Sequence, residues 1–184
     1  MRIVSGSAKG RKLKSVPGAS TRPITDRVKV ALFDILAGDV AGSSVLDLFA
    51  GTGGVGIEAL SRGARRAVFV DLDPNAVRII RENVSITRLA ERAEIVRSDS
   101  FRYLGRARHE SFDIIYIAPP QYKGLWLQAL EAIDRGPDWL SPDGMAVVQI
   151  DPKEARDVQW KSLREFDRRK YGNTLLWFFE KPGD

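Results

Sequence analysis

The stretch Val45-Leu46-Asp47-Leu48-Phe49-Ala50-Gly51-Thr52-Gly53-Gly54-Val55-Gly56 decides how this chain folds. Val45–Leu48 reads as a strand, Gly51–Gly56 fits G-x-G-x-x-G, and residues 54–61 read as a helix. A strand that turns through glycines into a helix opens a nucleotide-binding α/β sheet, where the backbone must approach its ligand closely. Glycine has no Cβ to obstruct that approach.

The alternation continues toward the C-terminus. Ala67–Val70 is a second strand, and Asp73-Pro74 caps a helix to about Ile86, proline being pre-set for the first helical position. Ala93–Arg97 is a third strand, followed by a short helix over 100–107. Phe112–Ile117 is continuously apolar after Asp113, as a strand covered on both faces requires. A helix over 123–134 and a strand over 145–150 follow, and residues 163–170 and 174–180 read as two strands around Tyr171-Gly172-Asn173. These β–α units and the final hairpin predict a doubly wound α/β sheet with one antiparallel edge strand. Upstream, Val28, Ala31, Leu32, Ile35 and Leu36 share one helical face, with Thr25 as N-cap and Gly38 as the stop. Residues 1–24 hold short extended pieces separated by Gly6, Gly10 and Pro17-Gly18. The expected division is a basic N-terminal extension over 1–24 and a main α/β domain over 25–184.

With 184 residues, 43 % hydrophobic and 29 % charged, the composition is that of a folded globular chain. The absence of Cys excludes disulfides, thiolate zinc sites and cysteine nucleophiles, and His109, the single histidine, cannot build a metal cluster, so no metal is expected. No apolar run approaches the roughly 18 residues of a membrane span, and no apolar signal core is present at the N-terminus. A cytoplasmic protein without a membrane partner is expected. The first 36 residues carry eight basic and two acidic side chains, a net +6, against −1 for the remainder. Arg2, Lys9, Arg11, Lys12, Lys14 and Arg27, interleaved with Gly, Ser and Pro, suit a flexible polyanion-binding arm; a solvated charged leader is the alternative.

Asp47 distinguishes two ligands. Near the strand's C-terminal end it would repel a pyrophosphate, whereas S-adenosylmethionine carries an ammonium and a sulfonium and no phosphate. D-x-x-x-G-x-G resembles the methyltransferase signature, so S-adenosylmethionine is the expected cofactor, with Phe49, Ala50, Gly51, Gly53 and Gly56 around it. A dinucleotide site and a purely structural turn are the alternatives. Asp71 ends the second strand, with Leu72 beside it, where a carboxylate can accept both ribose hydroxyls; Asp73 suits an N-cap better. Asp99, between Ser98 and Ser100, is placed to accept from the adenine amino group. Three acids at successive strand ends fall on the sheet edge where such folds bind ligands.

The fourth strand runs into Ala118-Pro119-Pro120-Gln121-Tyr122. The prolines fix an extended loop and remove two donors, leaving the Ala118 and Pro119 carbonyls as acceptors that can orient an attacking amine. A rigid turn is the alternative.

The chain resembles the bacterial 16S ribosomal RNA guanine-N2 methyltransferases, the RsmD-like family. The resemblance rests on Met1–Gly6 with Lys9-Gly10-Arg11, Thr21-Arg22-Pro23 with Thr25-Asp26-Arg27 and Ala31-Leu32-Phe33, Val45–Leu60, and Arg169–Gly172. It implies a Rossmann-like class I methyltransferase fold, with a seven-stranded, mostly parallel sheet and an antiparallel C-terminal hairpin. It also implies transfer to guanine N2 in small-subunit RNA, on a partly or fully assembled subunit, and places Arg22, Pro23 and Thr25 near the cofactor's methionine end. A monomer is expected. The family's loop is Asp-Pro-Pro followed by an aromatic; here Ala118 replaces the acid and Gln121 the aromatic, with Tyr122 one place later. Displacement at a sulfonium needs little general base, so positioning carries the rate. The Pro119 carbonyl is expected to hold the amine, helped by the Gln121 carbonyl, with Tyr122 stacked on an extruded guanine. Methylation of adenine N6, or RNA binding without turnover through loss of the acid, remain as alternatives.

Overall fold

The computed structural model describes residues 1–18, 23–107, 110–136 and 138–182. Its strands are β1 (Ser44–Leu48), β2 (Arg66–Asp71), β3 (Ala93–Arg97), β4 (Phe112–Ile117), β5 (Leu140–Ile150), β6 (Arg164–Tyr171) and β7 (Thr174–Glu180). The helices are α1 (Asp26–Ile35), α2 (Ala37–Val40), α3 (Gly54–Ser61), α4 (Pro74–Thr87), α5 (Ser100–Leu104) and α6 (Leu125–Arg135). One sheet runs in the order β3-β2-β1-β4-β5-β7-β6, with β1 to β5 parallel and β7 antiparallel to both β5 and β6.

The antiparallel strand is thus inside the sheet, not at its edge as the sequence pattern predicted. The reason lies in the side chains. Leu175-Leu176-Trp177-Phe178-Phe179 of β7 is buried on both faces, while β6 is mostly charged and exposed. An apolar strand needs neighbours on both sides, and a charged one protects an open edge. Gly38 does not stop the chain's helical course either: it lies inside α2, a single turn that buries Val40. β5 begins at Leu140, five residues earlier than the apolar run alone suggested, because its first residues continue the pairing with β4 through a register shift.

Side chains alternate between the two faces of the sheet. One face packs Phe33, Leu60, Phe69 and Ile80 under α1, α3 and α4. The other packs Leu46, Tyr103, Trp126 and Trp139 under α5 and α6.

Residues 1–16 are packed against this layer and do not hang free as a flexible arm. Ile3 N donates to the Arg11 carbonyl at 2.9 Å, Gly10 N to the Ile3 carbonyl at 2.8 Å, and Ile3, Ala8 and Leu13 enter the core. Glu58, fully buried on α3, accepts from Val4 N at 2.8 Å and Ser5 N at 2.9 Å, and pairs with Lys29 at 3.3 Å and Arg62 at 2.9 Å. Ser61 Oγ accepts from Ala8 N and donates to the Ser5 carbonyl. Buried backbone donors must find acceptors, and α3 supplies them from side chains. Gly6 is required at this contact. Its φ is +81°, and a Cβ there would lie 1.9 Å from the Ser61 carbonyl oxygen.

Candidate active site

The C-terminal ends of β1, β2, β4 and β5 meet around adjoining cavities. The first is lined by Asp47, Phe49, Tyr116, Ala118, Pro119 and Gln149. The second, of about 540 Å³, is lined by Asp71, Leu72, Asp99, Ser100, Phe101 and Pro120. Phe49 and Gly51 border both. The third, of about 530 Å³, shares Pro23, Gln121 and Gln149 with the first.

Asp47 is 1 % exposed, and its Oδ2 accepts from Gly56 N at 3.0 Å. Burial pushes its pKa up to about 8, the Gly56 N–H opposing that shift and the Asp71 charge adding to it. A carboxylate so short of solvation calls for a cation, and the ammonium of S-adenosylmethionine fits this end of the cavity. Gly56 serves two purposes here. Its N–H holds Asp47, and its bare α-carbon lets α3 approach β2, since a Cβ would meet Phe69 Cε1 at 2.4 Å. Close helix–sheet packing, not contact with the ligand, explains that glycine.

Asp71 is gripped by the loops it joins: Oδ2 accepts from Gly51 N at 2.8 Å and Oδ1 from Asp73 N at 2.9 Å. The remaining lone pairs can receive ribose hydroxyls. Asp73 is the N-cap of α4, accepting from Asn75 N at 2.9 Å ahead of Pro74. Asp99 is also an N-cap, its Oδ1 accepting from Phe101 N and Arg102 N at 2.9 Å each, while the residue still borders the second cavity. Leu72 is 62 % exposed on the wall of that cavity. Phe49 holds a left-handed φ of +59° and meets the Phe101 ring edge-on at 6.1 Å. A bulky residue in that region costs energy, and such strain gathers at ligand sites.

The proline loop divides between the cavities. Ala118, Pro119 and Gln121 face the first, and Pro120 faces the second. Tyr122 follows them, 64 % exposed with φ +60°. Its N–H donates to Glu154 Oε2 at 2.9 Å and its hydroxyl to Asp151 Oδ2 at 2.7 Å, which ties the loop to the segment after β5. Ala50 and Gly53 lie in the β1–α3 turn, where Gly53 N donates to the Ala50 carbonyl at 2.8 Å. Thr25 caps α1, its Oγ1 accepting from Val28 N at 3.3 Å, and it lines the third cavity with Pro23. Arg22 lies outside the described residues.

Among the candidate RNA contacts, Arg2 pairs with Asp26 at 3.1 Å, Lys14 with Glu82 at 2.7 Å, and Arg11 donates to the Ile86 carbonyl at 2.9 Å. Lys9, Lys12 and Arg27 are exposed and have no ion pair among the described residues. No helix among the described residues is long and apolar enough to cross a membrane.

Two polar residues of the site escaped the sequence reading. Tyr116 is 4 % exposed beside Asp47 in the β1–β4 register, and its hydroxyl donates to Gln149 Oε1. Burial, with the Asp47 charge, pushes the Tyr116 phenol well above its ordinary range and keeps it neutral. The signals were present: Tyr116 is two places before Ala118 on the same strand face, and Gln149 interrupts the apolar run Ala146-Val147-Val148-Gln149-Ile150.

The strand order, the antiparallel β7 and the glycine turn after β1 define a Rossmann-like, S-adenosylmethionine-dependent methyltransferase fold. Residues 1–180 match the family model described as conserved hypothetical protein 95. YlbH from Bacillus subtilis is 39 % identical over 185 residues that span 100 % of each chain. Ribosomal RNA small subunit methyltransferase D from Haemophilus influenzae is 33 % identical over 169 residues, 90 % of this chain and 87 % of that one. The solved structure of yhhF from Escherichia coli matches with a TM-score of 0.87 at 27 % identity, covering 100 % of this chain and 99 % of that one. The chain belongs to this family, that of the RsmD-like methyltransferases.

Proposed function

We propose that this protein transfers a methyl group from S-adenosylmethionine to the exocyclic N2 amine of a guanine in 16S ribosomal RNA. It acts in the cytoplasm, as a monomer, on a partly or fully assembled small subunit. The observation that carries this is the buried Asp47 carboxylate, which shares one cavity with the Ala118-Pro119 loop. A cation holder and a set of backbone acceptors there stand where a cationic cofactor and an amine must meet. The named small-subunit methyltransferase relative supports the RNA substrate.

The cofactor supplies a methyl group already activated on a sulfonium. Asp47 holds the ammonium, Asp71 receives the ribose hydroxyls, and Leu72, Phe101 and Pro120 flank the adenine. The Pro119 carbonyl accepts from the target amine and aims its lone pair at the methyl carbon. A cofactor held there would give up its sulfonium methyl to that amine, whose surplus proton would pass to water. Ala118 contributes no acceptor from its side chain, so proton removal follows transfer and does not assist it.

Mass spectrometry of nucleosides from small-subunit RNA, in cells with and without the gene, tests this: N2-methylguanosine should decrease without it. Ala118 also favours a second reading, a cofactor-binding RNA partner without turnover. Tight cofactor binding with no methyl transfer to any subunit assembly state would select that one.

A further inference from the structure

The third cavity lies between the proline loop and the β6–β7 turn, walled by Pro23, Thr25, Gln121, Gln149, Tyr171 and Asn173. The sheet register builds it. Ile150 pairs with Leu175 and Tyr171 with Thr174, so the hairpin turn is carried back beside the end of β5. Its volume, about 530 Å³, falls within the 300–1,000 Å³ of small-ligand sites. Its opening into the first cavity is bordered by Gln121 and Gln149.

Gln149 is the half-buried polar group at that opening. Its Oε1 is taken by the Tyr116 hydroxyl, and no described residue accepts from its Nε2. The Tyr116 hydroxyl donates to the amide oxygen, so that oxygen is the end of the amide turned toward Tyr116. The end left for the cavity is therefore the donor end. An exocyclic amine on guanine is flanked by the ring acceptor N3, in the base plane.

We propose that this third cavity receives the target base and that Gln149, oriented by Tyr116, donates to the ring acceptor beside the amine, so that Tyr116 acts as a positioning residue for base recognition. This rests on the proposed RNA methylation and adds how the base is held. The contact sets the rotation of the base about the amine, which determines whether the lone pair meets the methyl carbon. Uracil has no exocyclic amine for the Pro119 carbonyl to accept from.

Small subunits from cells lacking the gene are the substrate for the test. Gln149→Leu, which removes the amide and keeps a branched side chain, should lower kcat/KM for subunits by roughly ten- to a hundredfold, the cost of one unpaired contact. S-adenosylmethionine affinity by calorimetry should stay within about twofold, since the loss is on the base side. Tyr116→Phe should cost less, and the double variant no more than Gln149→Leu alone, because the tyrosine acts through the glutamine. Subunits carrying 3-deazaguanosine at the methylated position should be poorer substrates for the parent but not for Gln149→Leu. Parental turnover by Gln149→Leu, cofactor affinity falling in step with turnover, or multiplicative losses in the double variant would each overturn the inference alone. A parent that methylates no subunit overturns the functional reading, and this inference with it.

Discussion

The Gly56 N–H donates to Asp47 Oδ2 at 3.0 Å, tying the first turn of α3 to the end of β1. That bond is the principal compensation for burying the Asp47 carboxylate, and it leaves the acid well above its ordinary range, at about 8.

Cofactor binding should therefore depend on pH. At pH 6 the empty site holds Asp47 largely protonated, and binding an ammonium must expel that proton. Affinity should rise from pH 6 to about 8, where loss of the ligand's own ammonium proton, near the α-amino range of about 7.7–8.0, ends the gain. Calorimetry in buffers of different ionisation enthalpy should detect proton release near neutrality, and Asp47→Asn should abolish it. Stability runs the other way. A carboxyl raised from 3.8 to about 8 stabilises the free protein fully below 3.8 and loses that contribution as pH rises through 8. Saturating cofactor should flatten that decline.

Asp71 and Asp73 should separate by type of defect. Asp71 holds Gly51 N and Asp73 N and lines the second cavity, where the ribose is proposed to lie, so Asp71→Ala should remove both that proposed contact and the loop's anchor. Cofactor affinity should fall by about tenfold or more, as expected for lost bonds to a charged group. Asp73→Ala removes a cap, costing about 0.5–2 kcal/mol of stability with little effect on affinity. Equal affinity losses by calorimetry would contradict these assignments.

The buried Lys29–Glu58 pair should control the N-terminal segment. Burial lowers the Lys29 pKa, the Glu58 charge and hydrogen bond opposing the shift. Glu58→Ala leaves that ammonium without its counter-charge and two backbone donors without their acceptor, so a loss of about 3–5 kcal/mol is expected in urea unfolding. Limited proteolysis should then cut within residues 1–18 of the variant before it cuts the parent.

Most of the sheet was legible because β1, β2 and β4 are short, mostly apolar runs with a charge or glycine close to their ends. β3, Ala93–Arg97, and β4, Phe112–Ile117, have the boundaries read from sequence. Neighbourhood was harder to read. The interior position of β7 depends on partners distant in sequence, and Glu58 and Ser61 look like ordinary helix-surface residues until Val4, Ser5 and Ala8 are placed on them. The place of Asp47, Asp71 and Asp99 at the cavities was legible from their strand-end positions. Gln149 was not, because a polar residue ending an apolar strand has no motif around it and gains meaning only beside Tyr116.

The basic residues should not contribute equally to RNA binding. Lys9, Lys12 and Arg27 are exposed without ion pairs among the described residues, whereas Arg2 and Lys14 already neutralise Asp26 and Glu82. Charge reversal of Lys9, Lys12 and Arg27 together should weaken binding to small-subunit RNA and reduce the salt slope by up to about three. Reversing Arg2 and Lys14 should change it less. Filter binding across a salt titration would read both, and unchanged slopes in the triple variant would identify these residues as a solvated surface.

Tyr122 presents the sharpest test of the loop. The residue is exposed, but its hydroxyl donates to Asp151 at 2.7 Å and its backbone to Glu154 at 2.9 Å. Stacking on an extruded base requires the ring to swing from the Asp151 contact while the backbone bond keeps the loop in place. Removing the hydroxyl alone frees the ring without reducing its aromatic face. Tyr122→Phe should therefore retain or raise single-turnover methylation. Tyr122→Ala should lower it by roughly five- to a hundredfold, the range for one lost base stack. Glu154→Gln keeps an acceptor for the Tyr122 N–H and should be mild, whereas Glu154→Ala should loosen the loop and slow transfer. If Tyr122→Phe and Tyr122→Ala are equally impaired, the hydroxyl's tie to Asp151 sets the loop and the ring does not stack.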